Sequence, residues 1–144
     1  MKAKNRKKDQ ERKMRAQAYS DHQRRAAEQA YFTERLEDVS LLDRAVDVGL
    51  LAVPVGGIRR SGYVSLGTIE DCEAAVTALS GVEGFPNPRI TDEEYGVAEW
   101  GDEPEREQRP GESEYEFEAR VGRTYGYTQE AIDRFASERG LAKH

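Results

Sequence analysis

The fold class is decided by the stretch LLAVPVGGIRRSGYVSL, residues 50–66. A short apolar run, Leu50–Val55, is followed by two glycines, which are typical of a hairpin turn. A second strand is predicted over Ile58–Leu66. Pro54 has no N–H for a sheet ladder, so the first strand is expected at a sheet edge or at a bulge. The stretch therefore predicts a small antiparallel sheet.

The residues that follow predict a helix packed on this sheet. Thr68 with Asp71 forms a helix-capping pair, and Gly81 is expected to end the helix. Its apolar positions recur at helical spacing and comprise Ile69, Cys72, Val76 and Leu79. One more strand is predicted around Tyr95–Trp100, within a segment that begins at Arg89.

A long helix is predicted before the sheet, from about residue 10 to residue 38. Residues 1–18 contain good helix formers but no core face, so they form either a solvated helix or a disordered arm. Ser40 with Asp43 resembles a capping box that restarts a second helix over Leu41–Val48, and an unbroken helix to Val48 is the alternative. The apolar stripe of this region comprises Tyr19, Ala26, Ala27, Ala30, Tyr31, Phe32, Leu36, Val39, Leu42 and Val46.

The C-terminal part predicts a helical hairpin after a polar connection. Residues 101–113 are acidic and contain proline and glycine, which favours a linker. Ser113 with Glu116, and then Thr128, are expected to cap two helices over Glu114–Thr124 and Gln129–Arg139. Gly140 ends the second helix.

Together these elements predict an α+β fold. It has a long N-terminal helix, a small antiparallel sheet (a hairpin plus one strand) packed by a helix, and a C-terminal helical hairpin. The predicted organisation is a basic arm at 1–18, a core domain at 19–100, an acidic linker at 101–113 and the hairpin at 114–144. The predicted core comprises Phe32, Leu36, Val39, Leu42, Val46, Leu51, Val53, Val64, Leu66, Ile69, Val76, Leu79, Val121, Ile132 and Phe135.

Charge is divided unevenly along the chain. The net charge is −6, yet residues 1–25 carry ten Lys/Arg against three Asp/Glu. Residues 92–118 carry twelve acids against two arginines. A one-sided basic segment is typical of proteins that contact phosphates or an acidic protein surface. The alternative is that the basic segment folds back onto the chain's own acidic segment.

The composition argues against an enzyme. The chain has two histidines, His22 and His144, and one cysteine, Cys72. Histidine is the side chain that most often serves as the acid–base group at neutral pH. Cys72 lies on the apolar face of a predicted helix, where a small core residue is the usual reading. Too few histidines and cysteines are present for a metal site of that type, and no phosphate-binding glycine loop is found. A hydrolase would need a carboxylate pair held in the acidic stretch.

We therefore expect no catalytic residue, no cofactor, no metal and no small-molecule substrate. The hydrophobic fraction is 37%, and no apolar run reaches the length of a membrane span. A lone cysteine fits a reducing compartment. These features favour a cytoplasmic protein that does not enter a membrane.

Two segments resemble nucleic-acid-binding motifs. Residues 59–66, RRSGYVSL, followed by the helix at 69–81, resemble the third strand and second helix of an RNA-recognition motif. The resemblance covers about 25 residues and implies a basic, aromatic strand face formed by Arg59, Arg60 and Tyr63. The alternative is a generic β–α unit with a buried strand.

Residues 120–135 resemble a helix-turn-helix. Gly122 stands where two helices would approach closely, and Gly126 stands at the turn. The resemblance implies that Thr128, Gln129 and Arg134 start a recognition helix. Glu130 and Asp133 oppose phosphate contacts there. A plain helical hairpin docked on the sheet is the alternative.

The sequence thus predicts a non-enzymatic binding protein that acts through a projecting basic amphipathic helix. An accessory, assembly or inhibitor protein with a protein partner or self-association is the first hypothesis, and phage-type accessory or structural proteins belong to this class. A nucleic-acid-associated regulator is the alternative. The candidate contact residues comprise Lys7, Lys8, Arg12, Lys13, Arg15, Arg24, Arg25, Tyr31, Arg59, Arg60, Tyr63, Thr128, Gln129 and Arg134.

Overall fold

The computed structural model describes residues 2–142, and the side chains of residues 6–142. It confirms an α+β fold with a long N-terminal helix and a C-terminal helical pair. The elements, in chain order, are α1 (Lys2–Thr33), a 3-10 helix (Val39–Arg44), β1 (Val46–Asp47), β2 (Leu51–Ala52), β3 (Ser61–Ser65), α2 (Ile69–Leu79), β4 (Arg89–Asp92), β5 (Val97–Gly101), α3 (Glu114–Thr124) and α4 (Gln129–Glu138).

The end of the first helix differs from the prediction. Helix α1 ends at Thr33, and the following turn is a 3-10 helix capped by Asp38, whose carboxylate accepts from the Ser40 N–H at 3.1 Å. The predicted capping box at Ser40 is therefore wrong, because Asp38 satisfies the exposed N–H first. Both the second helix over Leu41–Val48 and the unbroken helix are wrong as well.

Val46 belongs to a strand rather than to a helix. Strand β1 pairs antiparallel with β2, so that Val46 faces Ala52 and Asp47 faces Leu51. The β-branched Val46 and Val48 flank Asp47, which is a composition that suits a strand better than a helix. Asp47 also accepts the Gly49 N–H at 2.9 Å, which closes the turn between the two strands.

The predicted glycine turn forms, but its flanking strands find other partners. Gly56 and Arg59 exchange two backbone hydrogen bonds of 2.9 Å across the turn. Beyond the turn, β3 pairs with β5, and the Val55 N–H donates to the Gly84 carbonyl at 2.9 Å. Pro54, which lacks an N–H, precedes the turn and stops the β2 ladder. The hairpin of Leu50–Val55 with Ile58–Leu66 is therefore only partly present.

The main sheet has three antiparallel strands in the order β3-β5-β4. The predicted strand near Tyr95–Trp100 is the central strand β5, and β4 was missed. A turn at 93–96 joins β4 to β5, and Gly96 there has a φ of +69°. Thr68 caps α2 as predicted, accepting from the Asp71 N–H, and Gly81 follows its end with a φ of +80°. Helix α2 packs on the sheet through Cys72, Ala75 and Leu79.

The core forms two clusters. The larger lies between α2 and the three-stranded sheet and comprises Ala52, Val64, Cys72, Leu79, Phe85, Ala98 and Trp100. The smaller joins the end of α1 to the 3-10 helix and comprises Leu36, Leu41 and Val53. Two predicted core residues are exposed, Val39 at 47% and Phe135 at 45%. Trp100 is fully buried and donates its indole N–H to the Val53 carbonyl at 3.0 Å, which joins the two clusters.

The C-terminal hairpin is joined to the rest by backbone hydrogen bonds. The Glu37 N–H donates to Gly126 O at 2.9 Å, and the Thr128 N–H donates to Arg35 O at 2.8 Å. On the sheet side, the Arg60 N–H donates to Thr124 O at 2.8 Å. Ser113 and Thr128 cap α3 and α4 as predicted. The hairpin therefore lies between the chain after α1 and the start of β3.

Residues 102–113 contain neither helix nor strand, yet they are fastened to the body. Pro104 is buried. Arg120 on α3 donates to the carbonyls of Glu105 and Glu107 at 2.8 and 3.0 Å, and forms an ion pair with Glu112 at 3.0 Å. These contacts hold the acidic segment along α3. Among the described helices, none is long and apolar enough to cross a membrane.

Candidate functional site

The first half of α1 is exposed wherever the structure describes its side chains. Every side chain from residue 6 to residue 20 is exposed. This exposed arm, residues 6–20, carries six Lys/Arg against two Asp/Glu and includes the predicted contact residues Lys7, Lys8, Arg12, Lys13 and Arg15. In the part of the chain whose side chains are described, no ion pair links the exposed arm to residues 92–118. The described part of the arm therefore does not pair with the acidic segment.

The second half of α1 is attached to β1 and β2 mainly through charged groups. Arg24 and Arg25 both bind the Asp47 carboxylate, at 2.8 and 2.6 Å. Glu28 accepts from the Leu51 N–H at 3.1 Å. Burial raises the pKa of Asp47, but the hydrogen bonds from Arg25, Gly49 and Arg24 outweigh it and lower the pKa. Arg24 and Arg25, predicted to contact a partner, are therefore held by the protein itself.

The apolar stripe predicted for α1 is not its buried face. Tyr19 is 65% exposed and Tyr31 is 48% exposed, and the three alanines of the stripe are exposed too. The half-buried positions of α1 are Asp21, Arg24, Glu28 and Phe32, and of these Phe32 alone belongs to the stripe. The helix therefore docks by ion pairs and hydrogen bonds, and Phe32 adds an apolar contact to the smaller core cluster.

The predicted basic strand face does not form. Arg59 is 4% exposed, and its guanidinium donates to the carbonyls of Tyr125 at 2.7 Å, Val53 at 3.2 Å and Pro54 at 3.2 Å. Arg60 is exposed, and Tyr63 is 46% exposed. Arg59 therefore supports the fold rather than a partner contact. Buried carbonyl oxygens need hydrogen-bond donors, and the sequence pattern does not show which arginine or lysine side chain donates to them.

The polar residues predicted to start a recognition helix are engaged within the hairpin. The Thr128 hydroxyl accepts from the Ala131 N–H at 3.0 Å, as a helix cap. Gln129 donates to Tyr115 at 2.8 Å and to Asp133 at 2.9 Å. Arg134 pairs with Glu130 at 3.3 Å. The close approach at Gly122 is confirmed, because a Cβ there would lie 2.9 Å from the Ile132 side chain.

The folding of these elements creates a groove that the sequence did not reveal. A space of about 300 Å³ opens between the end of α1, β3 and the α3–α4 hairpin. An adjoining space of about 240 Å³ shares four of its lining residues. The shared residues are Tyr31, Tyr63, Tyr125 and Tyr127, and we call the combined space the tyrosine groove.

The aromatic rings of the tyrosine groove contact one another. The Tyr63 and Tyr125 ring centroids lie 5.2 Å apart, and those of Tyr125 and Tyr127 lie 6.1 Å apart. The Arg35 guanidinium lies 3.8 Å above the centre of the Tyr31 ring. Burial raises the pKa of Tyr127, and the nearby phenols of Tyr31 and Tyr63 raise it further. Tyr127 therefore remains a neutral phenol that can donate or accept a hydrogen bond.

The floor and rim of the groove carry arginine charge. Arg59 lines its inner part, and Arg35 and Arg106 line its outer part. Arg106 donates to both oxygens of buried Glu99 at 3.1 and 3.0 Å and to the Tyr125 hydroxyl at 3.4 Å. Burial lowers the pKa of Arg106, but Tyr125 and Glu99 outweigh it and raise the pKa. The signal in the sequence is Tyr125-Gly126-Tyr127, which places two tyrosines at the turn of the C-terminal hairpin.

The described residues contain no cluster of three or more His, Cys, Asp or Glu that could hold a metal ion. Cys72 on α2 is buried against the sheet, and burial raises the pKa of its thiol. His22 is exposed on α1. His144 lies outside the described residues.

A known family covers most of the chain. The match, described as "Family of unknown function (DUF6302)", spans residues 20–143. It begins where α1 first contacts the body and includes the whole tyrosine groove. No curated protein and no solved structure matches the chain. Because the match covers well over half of the sequence, the chain belongs to the family of unknown function DUF6302.

Proposed function

We propose that the protein is a non-enzymatic binding protein that docks on a partner protein through the outward side of α1. The observation that carries this proposal is one continuous row of exposed side chains on that helix. The row, which we call the outward ridge, comprises Lys8, Arg12, Arg15, Tyr19, Ala26 and Ala30.

The outward ridge faces away from the body. At 3.6 residues per turn, these positions fall on one side of the helix, opposite the half-buried positions Asp21, Arg24, Glu28 and Phe32. From Lys8 to Ala30 the ridge is about 33 Å long at 1.5 Å per residue. The body therefore leaves free a surface long enough for a partner helix or sheet edge.

The composition of the ridge suits a protein partner. Ala26 and Ala30 are small and allow a partner backbone to approach closely. Tyr19, 65% exposed, is the kind of aromatic anchor that is enriched at protein interfaces. Lys8, Arg12 and Arg15 would be complemented by an acidic patch at one end of the partner's binding site. Because the N-terminal end of the ridge is cationic and its C-terminal end is neutral, the partner can dock in one orientation.

Part of the chain's own acidic charge is paired within the body. Glu105 pairs with Arg109 at 2.8 Å, Glu112 pairs with Arg120 at 3.0 Å and Glu118 pairs with Arg139 at 2.8 Å. Lys8 lies about 20 Å along the helix from Asp21, the first half-buried position of α1, at 1.5 Å per residue. That distance exceeds the Debye length of about 8 Å at physiological salt, so repulsion between the acidic body and an acidic partner is largely screened there.

The partner can be captured with a photo-cross-linking residue at Ala26, using the whole protein. The matched control carries the same residue at Ala74, which is exposed on α2. A cross-linked protein that appears with Ala26 only, and survives nuclease treatment, is the expected result. A captured partner is then tested with purified components.

The decisive comparison uses two triple variants of equal charge. One reverses the ridge cations, K8E/R12E/R15E, and the other reverses three cations off the ridge, R6E/K7E/K13E. We expect the ridge variant to weaken partner binding by at least about 2 kcal/mol and the control by less than about 1 kcal/mol. Equal losses from both variants contradict a ridge-specific contact.

Nucleic acid is the second candidate, favoured by one observation. Arg6, Lys7 and Lys13 extend positive charge around the arm beyond the ridge, which suits a site with phosphates on several sides. In that case both triple variants lose binding equally. The affinity for duplex DNA also falls steeply with salt, with a log–log slope of about −0.9 for each phosphate neutralised.

A further inference from the structure

The tyrosine groove combines exposed aromatic rings with three arginines, Arg35, Arg59 and Arg106, and no carboxylate among the described residues pairs with Arg59. From this combination we propose that the groove is a ligand site for a planar aromatic ring that carries a phosphate or carboxylate group. This inference concerns the body of the protein and does not rest on the outward ridge.

The ring-binding part of the site is formed by side chains from three elements. Tyr31 on α1 and Tyr63 on β3 are 48% and 46% exposed, and Phe135 on α4 is 45% exposed. Between them the floor is apolar, with Ala131 and Ile132 buried beneath it. A planar ring stacks favourably on such aromatic faces, and stacking on a protein aromatic ring is sequence-tolerant for nucleobases.

The anion-binding part of the site is the arginine charge at the floor and rim. Among the described residues, no carboxylate pairs with Arg59, whose three hydrogen bonds all go to carbonyls. Arg106 uses one terminal nitrogen for Glu99 and Tyr125, and Arg35 uses one for the Tyr31 carbonyl. A guanidinium has five N–H groups, so both rim arginines retain donors for an anion.

Two acids line the groove, and each is bound by an arginine outside it: Glu118 by Arg139 and Glu28 by Arg24, both at 2.8 Å. Glu99 pairs with Arg106 at 3.0 Å and Glu34 with Arg35 at 3.6 Å, so the unpaired charge is that of Arg59. This cationic excess opposes an ammonium ligand and favours an anion. The main space of about 300 Å³ lies at the small end of ligand sites, which limits the occupant to one ring system with its anionic group.

The probes are the four ribonucleoside 5′-monophosphates and indole-3-acetate, added to the whole protein and followed by NMR. Adenosine supplies a ring without the anion, and ribose 5-phosphate supplies the anion without the ring. We expect resonances of Tyr31, Tyr63 and Phe135 to shift with at least one charged aromatic probe. Adenosine and ribose 5-phosphate should each bind at least about tenfold more weakly than the charged aromatic probe.

Matched variants locate the site. Tyr63→Ala and Arg35→Gln should each weaken binding by about tenfold or more. Their controls are Tyr95→Ala and Arg134→Gln, which change exposed residues outside the groove and should leave binding unchanged. Thermal unfolding of each variant separates loss of binding from loss of fold.

A tetranucleotide probe distinguishes a free mononucleotide ligand from a nucleotide that belongs to a longer strand. Binding of a mononucleotide supports a free small molecule, and binding of the tetranucleotide alone supports a nucleotide within a strand. The proposal is overturned if none of the charged aromatic probes shifts the groove resonances at about 1 mM, which is the weakest affinity of interest here. Adenosine binding as well as its monophosphate also overturns it.

Discussion

Gly126 and Arg59 meet where the sheet is joined to the C-terminal hairpin. Gly126 has a φ of +76°, which L side chains rarely adopt, and a Cβ there would lie 2.5 Å from the Arg59 Cβ. Arg59 in turn donates to the Tyr125 carbonyl at 2.7 Å. A glycine at this point therefore allows the turn and the arginine to interlock.

Gly126→Ala should lower the free energy of unfolding by about 3 kcal/mol, because backbone strain of about 1–2 kcal/mol adds to overpacking against Arg59. The matched control is Gly140→Ala. Gly140 has a similar φ of +71°, but nothing lies within 4 Å of its Cβ position. Only the strain should remain there, about 1 kcal/mol. Urea unfolding of both variants measures the difference, and equal losses would rule out the packing contact.

At the scale of the elements, the sequence predicted correctly those features that depend on neighbouring residues, such as the helix caps. Thr68, Ser113 and Thr128 each cap a helix as predicted, because a cap depends on residues within one turn. The partner of β3 depends on long-range packing around Trp100, so the sequence assigned it wrongly. The tyrosine groove was missed for the same reason, since its tyrosines come from α1, β3 and the α3–α4 turn.

The attachment of the acidic segment to α3 should depend on pH. The hydrogen bonds from Arg120, with further help from Arg109, lower the pKa of Glu112 from 4.5 to about 2. A lowered carboxyl pKa stabilises the fold above the unfolded value, and this stabilisation is lost as pH falls from about 4.5 to about 2. Carboxyl NMR titration should find the low pKa in the native protein.

The matched variants for this titration are two arginine substitutions. Arg120→Gln should return the Glu112 pKa toward 4.5, whereas Arg134→Gln, on α4, should leave it at about 2. A normal Glu112 pKa in the native protein would show that the segment is not held by Arg120 in solution.

At the scale of the whole molecule, the exposed arm stands apart from the packed body. Residues 6–20 are exposed throughout, while the first strong attachments of α1 are Arg24 and Arg25 to Asp47. Stability therefore resides in the part of the chain that the family match covers, residues 20–143.

Deletion of residues 1–20 should leave the unfolding temperature within about 2 °C of the full chain, because every side chain that the structure describes there, from residue 6 to residue 20, is exposed. Circular dichroism should show a loss of helix. The contrasting variant is Asp47→Ala, which removes the ion pairs of Arg24 and Arg25 with Asp47 and should cost about 1 kcal/mol. A large drop in unfolding temperature on truncation would show that the arm packs on the body.

The projecting arm also sets how the protein moves through solution. A rod of residues 2–20 is about 28 Å long at 1.5 Å per residue, comparable to the diameter of a small domain. Such a rod increases the frictional coefficient of the protein by more than its small share of the mass would suggest. The chain of 16.3 kDa should therefore sediment more slowly than a sphere of that mass. The arm also brings a compensating advantage. As the protein tumbles, the cationic end of α1 passes through a much larger volume of solvent than the body occupies.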